Sequence, residues 1–224
     1  MTDAARHESR PRPLVPAAPP WSAWHAAGRL ARLHLASRRI PSALVLLAGC
    51  GGTLAVALQW HWTLGSGTGA QALPVVIEAG AAAIITVTTR SPFGESESIF
   101  ARWLPLLRLA CTMLLLVAAV GALAAAAAIG GGLDGGNLDL LRNTAGFTGL
   151  GLLLATLTGG SLAWTGPVAY MIIAEYAIVQ LWTTPLVWPA RPSHDNGATI
   201  WAAVAFTTGV IAITTRGARY SVNE

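Results

Sequence analysis

The stretch NTAGFTGLGLLLATLTGGSLAWTGPVAYMIIA, residues 143–174, carries no charged side chain. A bilayer core needs about 20 apolar residues of helix, so this stretch is too long for one span and too short for two well-separated ones. Gly159-Gly160 and Thr165-Gly166-Pro167 offer the break, with Pro167 suited to a helix start. Two spans are therefore expected here, at about 144–162 and 167–186.

Working outward, the remaining chain reads the same way. A first uncharged span runs about 42–60 and contains Gly49, Gly51 and Gly52, which permit close helix contact. Trp60 and Trp62 mark its far interface. A second span, about 72–89, holds one acid, Glu78. A third runs from Trp103 to about Ile129, and a last one covers about 198–215. The turn-rich 130–143 stretch, opening Gly-Gly-Gly-Leu-Asp-Gly-Gly-Asn, reads as a loop on the outside that carries Arg142.

Composition agrees. The 224 residues are 54% hydrophobic and 11% charged, with a mean hydropathy of +0.56. A soluble domain carries about 25% charged residues, so this chain could not cover a water-facing surface. The basic balance does not point to nucleic acid, because the arginines flank apolar segments and form no patch. Cys50 and Cys111 both fall inside spans and read as free thiols.

All 14 basic residues are arginine, and their placement sets orientation. With six spans and the N-terminus inside, Arg6, Arg10, Arg12, Arg29, Arg32, Arg38, Arg39, Arg90, Arg102, Arg108, Arg216 and Arg219 are cytoplasmic. Only Arg142 and Arg191 lie outside. This follows the positive-inside rule. The expected fold is all-α: a polytopic plasma-membrane protein with six transmembrane helices across 41–216 and both termini cytoplasmic. Residues 1–20 are polar and proline-rich, without an early apolar core, and read as a disordered tail rather than a cleavable signal. Residues 217–224 form a second tail.

Residues 21–40 read as a basic amphipathic helix lying in the interface. His25, Arg29, Arg32 and Arg39 fall near one face, and Trp24, Ala27, Ala31 and Leu35 can share another. Arg29, Arg32, Arg38 and Arg39 would reach lipid phosphates, and the helix either anchors the chain or also docks a partner.

Glu78 and Glu175 lie within apolar spans, where an ionisable group costs several kcal/mol. Each either forms a proton or substrate site or makes a helix–helix hydrogen bond. Neither has an arginine expected at matching depth, so a buried ion pair is not expected. His61, between Trp60 and Trp62, has no cysteine or carboxylate at ligand spacing, and no metal site or cofactor is expected. His194-Asp195 lacks the nucleophile and shaped pocket that catalysis needs, so no enzyme activity is expected. A phosphate-binding loop for nucleotide hydrolysis needs lysine, and the chain contains none. Any ATP chemistry would come from a separate subunit.

The layout resembles the permease subunit of an ABC-2-type transporter, and its arginine-only, Ala- and Gly-rich usage is similar to membrane proteins of GC-rich actinobacteria. The matching parts are the 21–40 helix, the loop 91–102 running into Trp103-Leu-Pro-Leu-Leu-Arg108, and the outer segment 184–196. The run ESESIFARWLPLLR, residues 95–108, resembles the family's acidic start followed by a Leu-Pro element entering the third span. The resemblance implies an exporter made of two permease subunits and two ATP-binding cassette ATPase subunits. It also implies that Glu95, Glu97 and Arg102 contact the ATPase. Two other readings stand beside it: an ion- or proton-coupled transporter using Glu78 and Glu175, and a membrane scaffold subunit without transport of its own.

Overall fold

The computed structural model describes residues 40–60, 69–88, 104–133, 136–192 and 194–216. The chain divides into two units, Met1–His34 and Leu35–Glu224, and the described residues all belong to the second. They form six α-helices: α1 (Ile40–Gln59), α2 (Gly69–Thr88), α3 (Leu104–Gly130), α4 (Gly136–Thr158), α5 (Thr165–Val179) and α6 (Asn196–Arg216), with a 3-10 turn at Trp188–Ala190 before α6. The expected N-terminal helix, 21–40, lies outside the described residues except for Ile40, which opens α1.

Four helices, α1, α3, α4 and α6, are long and apolar enough to cross a membrane. The apolar part of α2, Ala72–Thr88, and all of α5 are shorter. The 15 residues of α5 reach about 22 Å at 1.5 Å per residue, short of the roughly 30 Å hydrocarbon core. The expected fifth span, 167–186, thus ends early at Val179. Its last turn closes on Leu181 at φ 55, with the Trp182 amide donating to the Ala177 carbonyl at 3.0 Å. The expected break between the fourth and fifth spans is present. Gly159 follows α4 at φ 107, a left-handed conformation that glycine adopts without strain.

Large apolar side chains cover the outside, and the buried stripe of α6 is mostly small. Val45, Trp60, Val117, Ile129, Ile172, Val179, Ile200 and Ile211 are exposed. The buried stripe of α6 is Ala198, Ala202, Ala205, Gly209 and Ile213. A water-soluble protein rarely exposes so much contiguous apolar surface. In lipid, helices associate instead by close backbone approach along small residues. The arrangement is that of a helical membrane protein.

Helix directions follow from which ends meet. A cleft is lined together by Ile40 at the start of α1, Thr88 at the end of α2, Arg108 and Thr112 near the start of α3, and Ile213 near the end of α6. At the other end Leu58 of α1 packs where a Cβ on Gly130 of α3 would stand. So α1 and α3 run one way, and α2 and α6 the other.

The central helix is α4. Of its apolar stretch 67% is buried, against 33%, 33% and 22% for α1, α3 and α6. Surrounded by protein rather than lipid, it carries Asn143, Thr144, Thr148 and Thr156, all buried. The hydroxyls of Thr148 and Thr156 donate back to the carbonyls of Thr144 and Leu153 at 2.7 Å, which satisfies them within the helix. Two glycines let neighbours in. A Cβ on Gly149 would lie 2.3 Å from the Ala205 carbonyl oxygen of α6, and one on Gly151 would lie 2.3 Å from Thr86 Cγ2 of α2.

Candidate functional site

The polar centre of the described residues is built on the first turns of α4. Asp139 and Arg142 stand three apart, on one helix face, with Arg142 Nη2 3.1 Å from Asp139 Oδ1. The helix begins at Gly136, well before the expected start at residue 144, so Arg142 is not in an outer loop. It is buried, with 7% of its surface exposed. The neighbouring acid makes that burial tolerable, because a buried charge needs a partner and hydrogen bonds.

Arg142 donates through all three guanidinium nitrogens. Nη1 donates to the Pro192 carbonyl and Nη2 to the Arg191 carbonyl, each at 3.0 Å, while Nε donates to Asn143 Oδ1 at 3.3 Å. Both carbonyls belong to the segment between α5 and α6. A guanidinium presents five donors in fixed directions, so one side chain fixes two successive carbonyls of a non-helical strand of chain. This answers where those backbone groups go away from water.

The same segment is anchored a second time by Trp188, 3% exposed. Its ring stacks on Tyr170 of α5, centroids 4.4 Å apart, and meets Phe147 of α4 edge-on at 6.4 Å. The Tyr170 hydroxyl donates to the Leu186 carbonyl. Across from the indole is Gly146, where a Cβ would lie 2.7 Å from Trp188 Cε2. The glycine leaves the volume that the ring fills.

Asp195 ends the segment and starts α6. Its Oδ1 accepts the amides of Gly197 and Ala198 at 2.9 and 3.2 Å, which satisfies two of the helix's first N–H groups. Its Oδ2 accepts from Arg191 Nε at 2.6 Å. That bond from Arg191, with the Ala198 amide behind it, holds the Asp195 carboxyl below the usual carboxylate range.

Glu78 faces this centre from α2. It is 3% exposed. The Asn143 side chain is within hydrogen-bonding reach of its carboxyl, and Asp139 and Arg142 are near enough for their charges to act on it. The sequence placed no arginine at this depth, and α4 supplies one because its helix starts earlier than the glycine-rich run suggests. Among the described residues no donor reaches Glu78 Oε2. Glu175 on α5 is only partly buried, and its Oε1 likewise finds no donor among the described residues. No charged group is among those acting on Glu175. The two intramembrane glutamates therefore differ: Glu78 belongs to a cluster and Glu175 does not.

Glu95, Glu97 and Arg102, and the basic set Arg29, Arg32, Arg38 and Arg39, lie outside the described residues. Among the described residues no group of three or more His, Cys, Asp or Glu side chains is placed to hold a metal ion. Cys50 and Cys111 form no disulfide. Sequence reasoning missed Arg142 and Asn143 as buried groups and Asp139 as their half-buried partner. The available signal was the Asp-x-x-Arg spacing followed directly by an uncharged apolar run.

Comparison of the chain with protein-family models, with curated proteins and with solved structures finds no match.

Proposed function

We propose that this chain is the membrane-embedded permease subunit of an ABC transporter of the ABC-2 type, an exporter driven by a separate ATPase. The observation that carries the reading is the segment between α5 and α6. It turns back among α4, α5 and α6, buries Trp188 and is held by Arg142. That matches the partly embedded outer segment which precedes the last span in the resembling family. Six helices, an arginine-rich side and the absence of lysine for a nucleotide loop are in keeping with it.

In this reading all six helices cross or enter the plasma membrane. The end that holds the start of α1 and Arg108 faces the cytoplasm, and the Arg142 end faces outward. Two copies form the pathway between them, in contact with lipid all round. The ATPases grip residues 91–102 and 21–40, and their ATP-driven closure shifts the helices between inward and outward populations. Glu95, Glu97 and Arg102 are the contact residues.

Charge reversal at that contact tests the proposal. Glu95→Lys combined with Glu97→Lys should strip the ATPase from the purified complex while the membrane chain remains folded. The half-buried Glu175→Gln should leave the complex intact. An unaltered complex in the double variant would count against these contacts.

A further inference from the structure

We propose that Glu78 is a proton-binding site reached from the Arg142 end of the helix array, and that one proton on Oε2 neutralises the Glu78–Asp139–Arg142 cluster. The site needs no ATPase partner.

Among the charged groups that act on Glu78, the cluster holds two carboxyls and one guanidinium, an excess of one negative charge when both carboxyls are ionised. A buried excess charge is costly at membrane depth and is removed by a proton or a paired cation. The guanidinium is engaged elsewhere. All three of its nitrogens already serve Asp139, Asn143 and the carbonyls of Arg191 and Pro192. An ionised carboxylate only accepts hydrogen bonds, yet no donor among the described residues reaches Glu78 Oε2. A proton on that oxygen removes the charge.

The other elements packed against α2 bring nothing that substitutes. In the described residues α1 has no charged side chain, α3 has only Arg108, at the opposite end, and α5 has Glu175. None of these is among the charges acting on Glu78. The cluster opens to solvent on the outer-segment side, where Asp139 keeps 20% of its side-chain surface exposed. His194, exposed on that segment, lies near Asp139. Arg191 and Asp195, the other charges of that segment, pair with each other.

Hydrophobic carbodiimide, which modifies protonated carboxyls in apolar surroundings, tests the site on the full chain in native membrane vesicles, read by peptide mass spectrometry. The adduct is expected on Glu78 at neutral and mildly acidic pH and should fade at alkaline pH. Asp139→Asn removes the excess charge, so Glu78 can ionise against Arg142 and its labelling at neutral pH should fall several-fold. Glu78→Gln, which copies the protonated shape, should abolish the adduct and leave folding unchanged by circular dichroism. Labelling that ignores both pH and Asp139→Asn would overturn the proposal. So would the absence of any Glu78 adduct across the pH series, whatever is found at Glu175. Both negative results leave the permease reading standing.

Discussion

Gly146 of α4 and the indole of Trp188 occupy complementary halves of one volume: a Cβ at position 146 would lie 2.7 Å from ring atoms Cε2 and Cζ2. A single missing methyl thus sets how deeply the segment before α6 enters the helix array. Gly146→Ala should force the ring out or push α4 aside, a core overpacking that costs about 1–3 kcal/mol. Thermal unfolding in detergent should report the loss. Trp188→Phe in the same background should recover part of it, because the smaller ring vacates the contested space.

Arg142 is the second anchor of that segment. Arg142→Ala leaves the half-buried Asp139 without its partner and frees two carbonyls, and leaving such polar groups unsatisfied costs about 1–3 kcal/mol. Asp139→Asn added to Arg142→Ala should restore part of the stability, since no orphaned charge remains. Limited proteolysis within 184–195 should speed up in both variants, because the Arg191 and Pro192 carbonyls have lost their donor in each.

Glycines in this chain are not equivalent. A Cβ on Gly209 would lie 2.3 Å from the Gly149 carbonyl oxygen, which is backbone and cannot swing away, whereas one on Gly52 meets nothing within 4 Å. Gly209→Ala should therefore separate α4 from α6 and lower the melting temperature in detergent. Gly52→Ala should be neutral or stabilising, by up to about 1 kcal/mol from helix propensity. Equal effects at the two sites would argue against the α4–α6 contact.

Asp195 gives the outer segment an acid limit. Its carboxyl is held below the ordinary range first by the bond from Arg191 and then by the amides at the start of α6. A depressed folded value contributes stability above the unfolded value, and that stability is lost as pH falls through the folded one. Melting curves should therefore fall in acid for the native chain. Asp195→Asn, which keeps a capping oxygen but not the charge, should flatten this limb, so that the two curves converge at low pH.

The helices were legible because each is an apolar run bounded by arginine, glycine or proline, and the split at Gly159-Gly160 was legible from its turn chemistry. The start of α4 was not. Gly-Gly-Gly-Leu-Asp-Gly-Gly-Asn reads as loop, and Asp139 and Arg142 read as solvated charges. Arg142 is buried and Asp139 half-buried because they lie on one helix face and answer each other, and because protein rather than lipid surrounds α4. The place of residues 184–196 before the last helix was readable from its prolines and tryptophan. The seat of Trp188 was not, since Gly146 is remote in sequence and a glycine gives no local sign of what fills its space. The intramembrane acids looked alike in sequence, and only the parallel packing of α2 on α4 separates Glu78 from Glu175.

The most direct measurement of the central claim is purification of the tagged chain from its native membrane in mild detergent, with mass spectrometry of whatever accompanies it. The account predicts a stoichiometric ATPase bearing a phosphate-binding loop, together with a second copy of the permease. A chain that purifies without any ATPase and alone carries substrate across liposomes would contradict it.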